Sequence, residues 1–150
     1  MYKRILVAID GSESGDLALK EALSLAAVHR ATLRLVYVID MVPPYFSGDT
    51  NFIDVVAVEE ALAQSGRQIL QKAHALATAA GISAETMLLK TGEPTRRVPD
   101  VVVAEAKRWP ADLIVAGTHG RRGLSHLFLG SVAEGIIRIS TVPVLLIRGS

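Results

Sequence analysis

Apolar residues along the chain follow two rhythms. Five short runs are either continuously apolar or alternate between two faces: Ile5 to Ile9, Thr32 to Val38, Ala84 to Leu89, Asp112 to Ala116 and Val142 to Ile147. Runs of this length predict strands, and the unbroken ones predict strands buried on both faces. In the second, Leu33, Leu35 and Tyr37 share one face and Arg34, Val36 and Val38 the other. Between the runs the spacing turns helical. Leu19, Ala22, Leu23 and Ala26 predict the buried side of a first helix. Ile69, Ala73, Leu76 and Ala80 predict that of a long helix from about Asp54 to Ala80, with Gly81 at its C-terminal cap. Val98, Val101, Val102, Ala106 and Trp109 line a third helix, with Pro99 in its first turn and Pro110 at its stop. Trp109 is read as a packing residue. A fourth helix, from Ser131, buries Val132, Ile136 and Ile139 despite Gly135, which costs about 1 kcal/mol relative to alanine. Strict alternation of strand and helix predicts an α/β fold, a doubly wound parallel sheet with right-handed crossovers.

The 150 residues suit a single domain, 1–150, with no repeat or linker to divide it. Half of them are hydrophobic, and a mean hydropathy of +0.36 fits a sheet covered on both faces. No run spans a membrane: the N-terminal one is ended by Asp10, and Val36 to Phe46 is broken by Asp40, Pro43 and Pro44. A cytoplasmic protein is the expectation. With 16 Lys and Arg against 15 Asp and Glu, the formal charge of +1 gives no reason to expect nucleic acid or an acidic membrane as partner. The absence of cysteine removes disulfides, thiolate metal sites and cysteine catalysis. Met41 to Asn51 is the longest irregular segment, either a lid or a disordered connection.

Chemistry concentrates where the fourth strand meets its helix. Gly117-Thr118-His119-Gly120 is followed, after nine residues, by Gly130-Ser131. Glycines there let backbone approach a ligand closely, and a helix N-terminus offers free N–H groups and a positive dipole end to phosphate. Ser131-Val132-Ala133-Glu134 also has the Ser-x-x-Glu form of a capping box, so Ser131 is a candidate N-cap as well as a phosphate ligand. Asp10, at the carboxyl end of the first strand, either meets the ligand or serves the start of the next helix beside Ser12 and Ser14. Neither the Gly-x-Gly-x-x-Gly dinucleotide fingerprint nor a Walker loop with its lysine is present. His119 is the one candidate base inside the motif, and it either catalyses or hydrogen-bonds locally. Arg121, Arg122 and His126 either clamp phosphate or are solvated. His29 and His74 have no second ligand at metal spacing and are read as structural or surface residues.

On these residues the chain resembles the universal stress protein family, in the subgroup carrying the ATP-binding pattern G-x2-G-x9-G-(S/T). The resemblance extends over Lys3 to Ser12, Ala111 to Val115 and Pro143 to Arg148. It implies a five-stranded sheet of order 3-2-1-4-5, like that of the adenine-nucleotide α-hydrolases, so that the first and fourth strands meet at the switch point. It also implies Asp10 by the ribose or a phosphate-bound cation, backbone near Val38 against adenine, and Gly117 and Gly120 admitting ribose and phosphate. Gly130, Ser131 and Val132 then serve the polyphosphate. Ala8, Ile9, Ala116, Thr118, His119 and Arg121 complete the candidate binding set, with no catalytic residue and no protein metal ligand assigned. The implied ligand is ATP or another adenine nucleotide, with Mg2+ or Mn2+ held mainly by the phosphates. The implied assembly is a homodimer through Val142 to Ile147. The function expected is an ATP-binding stress sensor or regulator that is not an enzyme. The rivals are a slow ATPase or nucleotidyl-transfer enzyme of the same fold, and a scaffold that acts through dimerisation alone.

Overall fold

The computed structural model describes residues 1–41, 54–92, 95–120 and 128–149. Its strands are β1 (Arg4–Ala8), β2 (Thr32–Ile39), β3 (Ala84–Lys90), β4 (Leu113–Gly117) and β5 (Val144–Ile147). They alternate with helices α1 (Glu13–His29), α2 (Val55–Ala79), α3 (Val98–Arg108) and α4 (Ser131–Ile139). All strand pairs are parallel, in the order β3-β2-β1-β4-β5. The chain therefore reverses direction across the sheet between β1 and β4. Ala8 lies opposite Ala116 at that junction and opposite Val36 on the other side.

Side chains leave each strand on alternate faces, and two cores result. Ile5, Val7, Leu33, Leu35 and Val115 pack under α1 and α2, together with Ala18, Ala22, Leu70 and Ala73. Leu6, Val36, Ile114 and Ala116 pack under α3 and α4, against Val102, Ala106 and Ile136.

Two helical faces differ from the sequence expectation. On α2 the buried residues are Ala63, Gly66, Leu70, Ala73 and Ala77. Ala73 is common to both sets and Ile69 is half-buried. Leu76 is 50% exposed, however, and Ala80 faces solvent. The contact centres on Gly66, where a Cβ would come within 2.7 Å of Tyr37 and of Leu88. Close approach of the helix to β2 and β3, not the largest apolar side chains, sets its rotation. On α4, Ala133 and Ile136 are buried while Ile139 is 38% exposed. The end of α2 follows expectation: the N–H of Gly81 donates to Thr78 O (3.0 Å) and that of Ile82 to Ala77 O (2.9 Å), the paired bonds of a Schellman motif. The last strand begins at Val144, two residues late, because Ser140 and Val142 are engaged in a local turn in which Val142 N–H donates to Ser140 Oγ (3.0 Å).

An ion network lies within the α3 side. Arg34 of β2, 9% exposed, donates to Glu105 of α3 and to Glu85 of β3, each at 2.6 Å. Its guanidinium stacks 4.7 Å from the centre of the Trp109 ring, whose indole N–H donates to Glu85 (3.1 Å). Trp109 thus does more than fill space. Glu105, 4% exposed, also accepts two bonds from Arg108 and, by hydrogen bonding and then by charge, raises that guanidinium's pKa. This network fastens α3, whose first turns reach the crevice described next.

Candidate functional site

The carboxyl ends of β1 and β4 diverge where the strand order reverses, which opens a crevice in sheets of this type. It has a volume of about 360 Å3. Its walls are Ala8 to Asp10 from the end of β1, Val36 to Asp40 from β2, Ala116 and Gly117 from β4, His119 and Gly120 beyond it, and Gly130 to Ala133 at the start of α4. Leu62 of α2 and Val98 and Val102 of α3 close it from the side, and Ser12 and Gly15 from the start of α1. Apolar side chains dominate near β2 and α3, whereas backbone dominates near β4 and α4. The shape suits a ligand with a flat apolar part and an anionic tail.

The expected site residues come together as follows. Ala8, Ile9, Asp10, Val38, Ala116, Gly117, His119, Gly120, Gly130, Ser131 and Val132 all line the crevice. Thr118 does not; its carbonyl accepts the Gly130 N–H (2.7 Å) and its N–H donates to Ile147 O (2.8 Å), which holds the two ends of the glycine segment together beside β5. Arg121, with Arg122 and His126, lies outside the described residues, as does the segment after Met41.

Asp10 is not the cap of α1. Its Oδ1 accepts from the backbone N–H (2.9 Å) and hydroxyl (2.5 Å) of Ser12, and Ser12 is the N-cap, accepting from Gly15 N–H (3.1 Å). The other oxygen, Oδ2, faces Gly120: a Cβ on that glycine would lie 3.0 Å from it. One carboxylate oxygen thus props the helix start while the other borders the crevice.

Ser131 is likewise not an N-cap. That position belongs to Gly130, and no side chain caps α4; Ser131 is the first helical residue, exposed, and Glu134 bonds Arg138 (2.6 Å) instead of closing a capping box. The first-turn N–H groups of Ser131, Val132 and Ala133 have no partners within the helix, which leaves them to solvent or a ligand.

The glycine segment is oriented from α1. The His119 carbonyl accepts from Ser12 Oγ (3.3 Å) and from Ser14 Oγ, a hydroxyl on a residue only 4% exposed. In a trans peptide the N–H points opposite to the C=O. The Gly120 N–H is therefore aimed away from α1, and it has no partner among the described residues. The imidazole of His119 is fixed through Nδ1 to Thr118 Oγ1 (2.8 Å), with Nε2 buried and without a hydrogen-bond partner among the described residues. Close packing explains two motif glycines: a Cβ at Gly117 would sit 2.3 Å from Ser14 Oγ, and one at Gly130 would sit 2.9 Å from Thr118 O.

Sequence reasoning missed Ser12, Gly15, Val36, Tyr37, Ile39, Asp40, Leu62, Val98, Val102 and Ala133 as wall residues. Asp40, just past β2, carried the same signal as Asp10: an acid at the carboxyl end of a strand. Val98 and Val102 were read as core alone. Among the described residues, no group of three or more His, Asp or Glu is placed to hold a metal ion, and no helix is long and apolar enough to cross a membrane.

Sheet order and a crevice at the switch point, with the start of α4 in its wall, define a doubly wound α/β protein. The chain belongs to the Universal stress protein family, whose model matches residues 1–148. It is 35% identical over 148 residues to a universal stress protein of Methanocaldococcus jannaschii, covering 99% of this chain and 83% of that one. A crystal structure of a universal stress protein family member from Burkholderia pseudomallei superposes with a TM-score of 0.79 at 36% identity, covering 97% of this chain and 96% of that one. A universal stress protein crystallised in complex with cAMP superposes with a TM-score of 0.66 at 28% identity, covering 99% and 98%.

Proposed function

We propose that the crevice binds an adenine nucleotide, ATP in the first instance, and that the protein is a cytoplasmic sensor or regulator of the ATP-binding G-x2-G-x9-G-S subgroup, acting as one domain over residues 1–150. The observation that carries this reading is the juxtaposition of amides without partners among the described residues, Gly120 N–H and the first turn of α4, with an apolar slot lined by Val38, Ile39, Val98 and Val102. Amides at a helix N-terminus suit phosphate, and the slot suits a purine ring. The cAMP complex of a relative at 28% identity supports the same ligand class.

In this reading Val38 backbone meets adenine, Ala8, Ile9 and Asp10 border the ribose, and Ala116, Gly117 and Gly120 admit ribose and phosphate. Thr118, His119 and Arg121 belong to the phosphate loop, and Gly130, Ser131 and Val132 receive the polyphosphate. Mg2+ or Mn2+ is held mainly by the phosphates, with Asp10 by the ribose or the phosphate-bound cation. Isothermal titration of the protein with MgATP checks the reading: Ser131→Ala is expected to weaken binding roughly ten- to a hundred-fold, the worth of a hydrogen bond to a charged group. No heat of binding to the unaltered protein removes it.

Binding without turnover is the expected behaviour, because the loop supplies dipoles and no Walker lysine, and because His119 is tied at Nδ1 and sealed at Nε2. Phosphate release under single-turnover conditions near the roughly 1 s−1 floor usual for enzymes, lost in His119→Ala, would favour the ATPase reading instead.

We further propose a homodimer through the terminal strand, Val142 to Ile147. β5 pairs with β4 on one side only, and Ile137 and Ile139 of the neighbouring α4 are 50% and 38% exposed. A second copy of β5 satisfies that edge isologously. Light scattering should give twice the 16.0 kDa chain mass, and a monomer at micromolar concentration refutes the pairing.

A further inference from the structure

The peptide between His119 and Gly120 can face the crevice with either of its polar ends. A peptide plane turns most readily where a glycine follows it, because no Cβ resists the change in backbone angle. Turned one way it offers the Gly120 N–H to an anion; turned the other it offers the His119 carbonyl oxygen, which repels one. What holds the first orientation comes from α1, and Ser12 is not the residue that supplies it. A hydroxyl carries a single hydrogen. That of Ser12 goes to the shorter, charge-assisted bond with Asp10 Oδ1 (2.5 Å), while its oxygen accepts from Gly15 N–H (3.1 Å). The 3.3 Å approach of Ser12 Oγ to His119 O is thereby left without a hydrogen. Ser14 Oγ remains as the donor to that carbonyl. Ser14 is 4% exposed, and a hydrogen bond away from water is electrostatically stronger than one in it. Gly117 makes room for the contact, since a Cβ at 117 would overlap the Ser14 hydroxyl.

We infer that Ser14 is a positioning residue for the phosphate end of the ligand, acting through the 119–120 peptide and not by contact. Its hydroxyl holds His119 O toward α1, and a trans peptide then turns the Gly120 N–H toward the side on which the first turn of α4 stands. The inference rests on the nucleotide reading above and adds a residue that lies outside both the glycine pattern and the crevice wall: Ser14 is not among the residues that line it. Removal of the hydroxyl leaves the His119 carbonyl with no donor on the α1 side, a costly state for a polar group away from water. The carbonyl regains a partner by turning toward the open crevice, where it meets water in place of Ser14 and presents an acceptor to the incoming phosphate. The penalty falls on ligands that carry phosphate and spares the bare nucleoside.

Calorimetric titration of the full chain with adenosine, AMP and ATP tests this, in the natural sequence and in Ser14→Ala. The variant should bind AMP and ATP about tenfold or more weakly than the parent and adenosine as the parent does. A second measurement uses the natural protein alone, so it stands even if the variant does not fold: in amide NMR the Gly120 proton should move downfield on addition of AMP and stay in place with adenosine. Equal losses for adenosine and AMP in Ser14→Ala, or no loss for either, overturn the positioning role and leave the nucleotide reading intact. A Gly120 amide that AMP binding does not move has the same force. Failure of the natural protein to bind any of the three ligands overturns the nucleotide reading, and the role of Ser14 with it.

Discussion

Gly130→Val is expected to reduce ATP affinity by at least about a hundredfold while leaving the far-ultraviolet circular dichroism close to that of the parent. The backbone at Gly130 is extended, φ −64° and ψ 155°, which valine adopts readily. The penalty is steric: a Cβ there would lie 2.9 Å from Thr118 O and 3.5 Å from the His119 Cα. A branched side chain pushes the two ends of the glycine segment apart and breaks the Gly130 N–H bond to Thr118 O, 2.7 Å in the native protein. The Gly120 amide and the first turn of α4 then no longer converge on one phosphate chain. Two charge-assisted bonds lost at about 1.5–3 kcal/mol each give the hundredfold figure or more. The sheet does not depend on this contact, so the fold survives. Calorimetry on Gly130→Val and the milder Gly130→Ala decides the matter: affinity within about threefold of the parent in both, on the same principle of tenfold per 1.4 kcal/mol, would show that the spacing of the segment does not set the site.

The second large effect falls on stability. Glu105→Ala should cost about 3–5 kcal/mol, because removing one partner of a buried pair strands the other charge. Arg34 keeps Glu85, which is 47% exposed, and the Trp109 ring, so the lower end of that range is expected. Urea denaturation followed by circular dichroism reads it directly. Arg67→Ala, whose partner Glu60 is exposed, is the control at about 0–1 kcal/mol. A loss at Glu105 no larger than at Arg67 would mean that Arg34 finds solvent once its partner is gone.

The fold was largely legible. β1, β2 and β4 are buried on both faces and therefore read as apolar runs, and α1 and α3 carry their apolar stripes at helical spacing. What composition and spacing did not fix was the adjacency of β1 and β4. That followed from the family resemblance, because strand order depends on contacts far apart in sequence. The α2 face was misjudged because its closest approach is made by Gly66, which carries no hydrophobic signal. Glu105 escaped notice because an acid on a helix is ordinarily solvated, and only Arg34 on a distant strand makes it a buried partner. At the site, the motif glycines and Asp10 line the same crevice, but roles inside it could not be read from residue type. Ser131 looked like a cap, yet the chain enters α4 one residue earlier. Asp10 looked like either a cap or a ligand residue, and Ser12 caps in its place.

Gly117 has a wider consequence. The space its side chain would occupy is already filled by Ser14, so alanine at position 117 would strain the junction of α1 with β4 whether or not a nucleotide ever entered. A protein of this fold that bound no ligand would still be held to glycine there by its own packing. Ancestry and occupancy leave the same mark at position 117, and the marks that separate them lie elsewhere, in the amide of Gly120, without a partner among the described residues, and in the first turn of α4.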